Sequence, residues 1–215
     1  VSVFLEIYKK GIQQEKTKEL IIKTTDMLLA FKKGVIDYNV VNIMHEGYDY
    51  PSFFPYNVIG KDVSSINSVL SKNIFHFTDR LGWCNSDLSR MYVLYKIGTE
   101  FNKQHYINEA TEMISEVVIR KEEKDTAISD CYMCHGTSGV AHLYKKIYDL
   151  TGEPVFHKTY EYWIEATINF MEAELLKEPS DKDLEMLTGW LGPLFVLSEY
   201  NGHKYKGWDK IFLLN

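Results

Sequence analysis

The sequence predicts an all-α protein of the α/α toroid type, helical pairs around a central cavity, present here as part of a ring. Three observations lead there. Helical periodicity dominates and comes in two kinds, one-sided amphipathic stretches and stretches apolar around most of their circumference. Each stretch of the second kind follows two small residues three apart: Ser86 and Ser89, Gly136 and Gly139, Gly189 and Gly192. These pairs recur about every fifty residues, the period of a two-helix repeat. Strict alternation of a buried helix with an amphipathic one favours a closed double ring over an open solenoid, because outer helices then cover inner ones.

The elements follow in order. Val1 to Tyr8 is apolar at positions 1, 3, 4, 5, 7 and 8, with no cap and no initiating Met, and reads as a helix already under way. The expectation is that the chain is the later part of a longer protein. Leu20, Ile21, Thr24, Met27, Leu28 and Phe31 share one helical face, so Val1 to Gly11 and residues 16–33 form the first unit. Residues 35–78 break the pattern with Pro51, Pro55, Gly47, Gly60 and the run Tyr48 to Phe54, which suits an extended or looped insertion.

Beyond it, Leu88 to Ile97, Val140 to Leu150 and Leu194 to Tyr200 are the buried helices, with Gly98, Gly152 and Gly202 placed to end them. Between them lie surface helices around residues 104–118, with Tyr106, Ile107, Ala110, Met113, Ile114 and Val117 on one face, and around 155–173.

A chain of 215 residues supports one sizeable core or a merged pair. The net charge is −6, from 24 basic and 30 acidic residues, and the basic residues are scattered, which disfavours nucleic acid as a partner. No apolar run reaches the roughly 18 residues of a membrane span. Three cysteines and no secretory signal suit a reducing cytoplasm rather than a disulfide framework.

The chemistry centres on Cys131-Tyr132-Met133-Cys134-His135-Gly136. Taken alone it reads as a haem attachment signature, a redox pair or half of a zinc site. The repeat chooses among them, since Cys84 occupies the place in its unit that Cys134-His135 occupies in the next. Both fall at the starts of neighbouring buried helices, where the helix dipole favours thiolates. Two thiolates and an imidazole make a three-ligand zinc site with one open position. Cys131 then reads as a small buried side chain, Asp87 as a residue that caps or begins a helix, and His142, seven positions after His135, as a core or supporting histidine rather than a fourth ligand.

The constellation resembles the lanthionine synthetase C-like cyclases, which make thioether rings in lantibiotic peptides. Trp83-Cys84-Asn85-Ser86-Asp87 resembles the family's W-C-Y-G motif. Cys134-His135-Gly136-Thr137-Ser138-Gly139, with Ala141-His142, resembles its C-H-G-x-x-G and following A-H, and Thr188 to Gly192 its final G-x-x-G. The likeness runs from Val1 onward and covers the C-terminal half of the family's sequence, so residues 1–215 read as the later portion of such a toroid with an insertion at about 35–78.

The resemblance implies one Zn2+ held by Cys84, Cys134 and His135. It also implies addition of a peptide cysteine to dehydroalanine or dehydrobutyrine in a dehydrated precursor peptide, with a dehydratase and the family's other half as further partners. Arg80 matches the family's active-site arginine, and Arg80 and His142 are the candidate catalytic residues. The family's histidine in an H-G motif and its aspartate lie upstream of Val1. Asn85 and Ser86 stand where Tyr and Gly are usual. A second reading is a zinc-stabilised module of the same fold that binds peptides or thiols without chemistry. A c-type cytochrome, the third, leaves Cys84 and the repeat unexplained.

Overall fold

The computed structural model describes residues 1–32, 41–43, 75–77, 80–84, 86–178, 184–203, 205 and 207–214. It divides into two compact units, Val1–Asp79 and Arg80–Asn215.

In the first unit α1 (Ser2–Lys9) and α2 (Gln14–Ala30) pack together, burying Leu5, Ile21, Thr25 and Phe31. Of the predicted face of α2, Ile21 and Phe31 are buried while Leu20 is exposed. Residues 35–78 include two short strands, β1 (Val41–Ile43) and β2 (Phe75–Phe77), paired in parallel with Val41 opposite Phe75. They are a small addition to the helices that make up most of the described residues. The run Tyr48 to Phe54 lies outside the described residues.

The second unit carries the repeat. α3 (Asp87–Glu100) packs on α4 (Gln104–Glu112), which a short α5 (Ile114–Val117) continues. After α6 (Glu123–Thr126) come α7 (Thr137–Thr151), α8 (Pro154–Glu174) and α9 (Leu191–Tyr200), followed by a 3-10 helix, Trp208–Phe212. α7 is central, packing against α3, α8 and α9, while α4 and α8 cover α3 and α7 from outside. This is the predicted alternation of inner and outer helices.

Burial matches the two predicted kinds of helix for α3 and α7. Leu88, Met91, Tyr92, Leu94, Tyr95 and Ile97 are buried around α3, and α7 is buried through its first two turns. α4 and α5 bury Tyr106, Ala110, Met113 and Val117 along one side.

Two expectations change. α9 is not enclosed: Gly192, Pro193 and Val196 are buried, but Leu194 is 49% exposed. α7 and α8 cover one side of it, and its other side lines an open groove of about 500 Å³ with Phe195 and Leu197. Gly98 does not end α3, which runs to Glu100. A Cβ on Gly98 would sit 2.6 Å from Ile107 Cγ1, so this glycine lets α4 cross closely. Gly152 and Gly202 do have left-handed backbones at helix ends, with φ of 70° and 91°. Pro154, in the first turn of α8, restarts the chain at once.

Candidate metal centre

The starts of α3, α7 and α9 are laced together by main-chain hydrogen bonds. The carbonyl of Cys134 accepts from the N–H groups of Trp83 (3.0 Å) and Cys84 (3.4 Å), and the Cys134 N–H donates to the Leu187 carbonyl (3.0 Å). The three sequence motifs, one per repeat, thus meet along one line. Gly82 makes the approach possible, because a Cβ there would lie 3.0 Å from the His135 Cα and 3.1 Å from the Cys134 carbonyl oxygen.

Each turn is fixed locally as well. Ser86 is the N-cap of α3, its Oγ accepting from the Ser89 N–H at 3.1 Å while Ser89 Oγ accepts from the Ser86 N–H at 3.2 Å. Ser86 Oγ also donates to the Gly82 carbonyl at 2.6 Å. The serine that replaces the expected glycine therefore ties the Cys84 turn to its helix. Asp87 begins α3, as expected, and is buried between Arg90 (2.6 Å) and Arg120 (3.0 Å). On the other turn, Asp130 Oδ1 accepts from the Tyr132 N–H at 2.8 Å, and the Thr137 N–H donates to the Asp130 carbonyl at 3.0 Å.

This scaffold brings Cys84 Sγ and Cys134 Sγ to 3.4 Å, both as free, partly buried thiols. The predicted pairing across repeats is therefore present. Cys131 is absent from it. Its buried thiol donates to Met171 Sδ at 3.4 Å, and burial, with the nearby carboxylates of Asp130 and Glu174, pushes it up to about 12.

The Cys134 thiol lies above its ordinary value. Burial, then the hydrogen bond and charge shared with Cys84, push it up to about 11, with Arg80 acting in the opposite direction. Burial disfavours the thiolate first, and the neighbouring Cys84 sulfur adds to it.

His135 is half-buried, with Nδ1 3.6 Å from Asp130 Oδ2. Among the described residues no group of three or more His, Cys, Asp or Glu side chains is gathered to hold a metal ion. Two sulfurs on a tetrahedral zinc would stand about 3.8 Å apart, so the thiol pair suits zinc in donor type and nearly in spacing. Arg80 lies close enough for its charge to act on Cys134.

His142 is elsewhere. It is buried on α7, with Nε2 hydrogen-bonded to Asp209 Oδ2 at 3.0 Å and Nδ1 3.7 Å from Glu199 Oε2. Sequence reasoning passed over Asp130, Asp209 and Phe212. Asp130 carried a readable sign, a turn-forming carboxylate just ahead of Cys134 and His135. Asp209 and Phe212 carried none, because their partners lie 67 and 129 positions away.

Helical pairs in which outer helices cover inner ones are the architecture of the α/α toroid class. Nisin cyclase, a solved structure, shares the fold with a TM-score of 0.52 at 20% identity, the match covering 63% of this chain and 32% of that one. The chain belongs to the lanthionine synthetase C-like protein family, whose sequence model matches residues 1–213. The matched region spans about a third of the nisin cyclase chain. No curated protein sequence matches it. Among the described residues no helix is long and apolar enough to cross a membrane.

Proposed function

We propose that this chain is the zinc-holding portion of a lanthionine synthetase acting on a dehydrated precursor peptide in the cytoplasm. The observation that carries the reading is the Cys84–Cys134 pair, 3.4 Å apart across the starts of α3 and α7, in a chain of this family. Cys84, Cys134 and His135 would hold the metal, with Asp130 orienting the His135 ring. Zinc bound there would lower the pKa of a substrate cysteine and supply a nucleophile at neutral pH.

In the proposed reaction a sulfur–carbon bond forms at the β-carbon of dehydroalanine or dehydrobutyrine as the C=C π bond breaks. The thiol's proton is balanced by protonation of the α-carbon, so no oxidant or reductant is required. Arg80 is the cation on hand for the enolate charge that develops. The resemblance puts the family's H-G histidine and its aspartate in the family's other half. Ring closure is accordingly proposed for the chain together with the family's other half, and the dehydrated residues for a dehydratase.

Metal analysis of the chain purified without chelator is expected to give about one zinc per chain. Replacing Cys84 or Cys134 by Ala should abolish it. Metal-free wild-type protein would overturn the reading. A protein that holds zinc but closes no ring, even joined to the other half, would be the zinc-stabilised peptide- or thiol-binding module instead.

A further inference from the structure

The 3-10 helix Trp208–Phe212 is used by none of the chemistry above, yet it reaches the thiol turn, α7 and α9. The Phe212 carbonyl accepts from Trp83 Nε1 at 2.9 Å, and the two rings meet edge-on at 5.5 Å. Trp83 precedes Cys84 in the chain, and its backbone N–H is bound to the Cys134 carbonyl, so its indole and main chain are both held. Asp209, 4% exposed, accepts from His142 Nε2 and pairs with Lys146, both on α7. Trp208 stacks on Phe195 of α9 at 5.1 Å and lies 4.8 Å from the His142 ring.

The His142 imidazole is 2% exposed, its Nε2 is bonded to Asp209 and its Nδ1 lies 3.7 Å from the Glu199 carboxylate. Its position suits an anchor. We propose that Trp208–Phe212 is a strap that fixes the Cys84 thiol against Cys134, and that His142 is a positioning residue acting through Asp209. The physical reason is that two turns set the sulfur spacing, and the spacing is only as definite as the less firmly held turn. The strap ties the Cys84 turn to α7, the helix that carries Cys134 at its start. The inference rests on reading the two cysteines as a metal-binding pair.

The test uses the full chain and cobalt(II) as probe, following the near-ultraviolet thiolate-to-cobalt charge-transfer band. Trp83→Phe keeps an aromatic ring but loses the N–H, and His142→Ala removes one of the two α7 partners of Asp209, leaving Lys146, with Asp209→Asn in its place should that variant fail to fold. Each is expected to weaken cobalt binding about tenfold. His142→Gln retains an N–H donor for Asp209 and should restore the affinity. Phe156→Leu, in the buried contact with Tyr95 and Tyr144, is the control for general destabilisation and should leave affinity unchanged.

Wild-type affinity in Trp83→Phe and His142→Ala would overturn the strap. So would an equal loss in the control, or failure of His142→Gln to restore. Absence of the band in the unmodified chain would sink the metal reading alone. The strap would then be judged by labelling the thiols with an aromatic disulfide, where Trp83→Phe should speed reaction at Cys84 about fivefold, the factor one lost hydrogen bond allows. An unchanged rate there would overturn it.

Discussion

Side-chain surroundings separate three cysteines that look alike in the sequence. Cys131 is fully buried against Met171, and its proton is held up to about 12, so it is protonated at any ordinary pH. Only the thiolate is a nucleophile. Iodoacetamide at pH 8 is expected to leave Cys131 unlabelled in the native chain and to label it once the chain is unfolded in urea, as read by peptide mass spectrometry. Native labelling as fast as the unfolded rate would show that the thiol is not enclosed.

Asp209 gives a pH signature of its own. Burial by itself would raise this carboxyl, but hydrogen bonds from His142 and Lys146, with their charges, outweigh burial and hold it at about 2. An unfolded aspartate titrates near 3.9. The folded value is the lower one, so the contribution to stability is complete above about pH 4 and is lost as pH falls towards about 2. Acid titration of urea stability should show this loss in the wild type and not in Asp209→Asn. Parallel curves would refute it.

At the scale of elements, the beginning of α3 is held by charge as well as by its serine cap. Asp87 lies between Arg90 and Arg120, and Arg120 comes from the segment after α5, so one carboxylate joins the repeat's inner helix to the chain leaving its outer one. Removing one partner of a buried ion pair leaves an uncompensated charge, which costs about 3–5 kcal/mol. Asp87→Ala is therefore expected to lose stability of that order in urea denaturation. A loss below about 1 kcal/mol would place the pair in the class of solvent-screened surface pairs.

Helix identities were largely legible, because the apolar spacing of α3, α4 and α7 is strong and their burial follows from it. The enclosure of α9 was not. Its sequence is as apolar as that of α7, yet only one side of it is covered. Composition records what a helix can bury, and neighbouring elements decide what it does bury.

At the scale of the whole molecule, the thiol pair and the described contacts that position it fall within Arg80–Asn215. A fragment of residues 80–215 should therefore fold by itself, with helical circular dichroism, a cooperative melt and the paired thiols. Non-cooperative melting of the fragment would show that this unit depends on residues 1–79.

The sequence by itself determined the helical class, the fifty-residue period and the pairing of Cys84 with Cys134 across repeats. These are properties of spacing, and spacing is written along the chain. Tertiary structure alone decided that burial and the neighbouring Cys84 raise the Cys134 thiol, that His135 faces Asp130, and that His142 lies between two carboxylates. It also decided that Phe212 holds the indole beside Cys84, 129 positions away. Long-range polar contacts have no period, and only the packing of one helix start on another makes them.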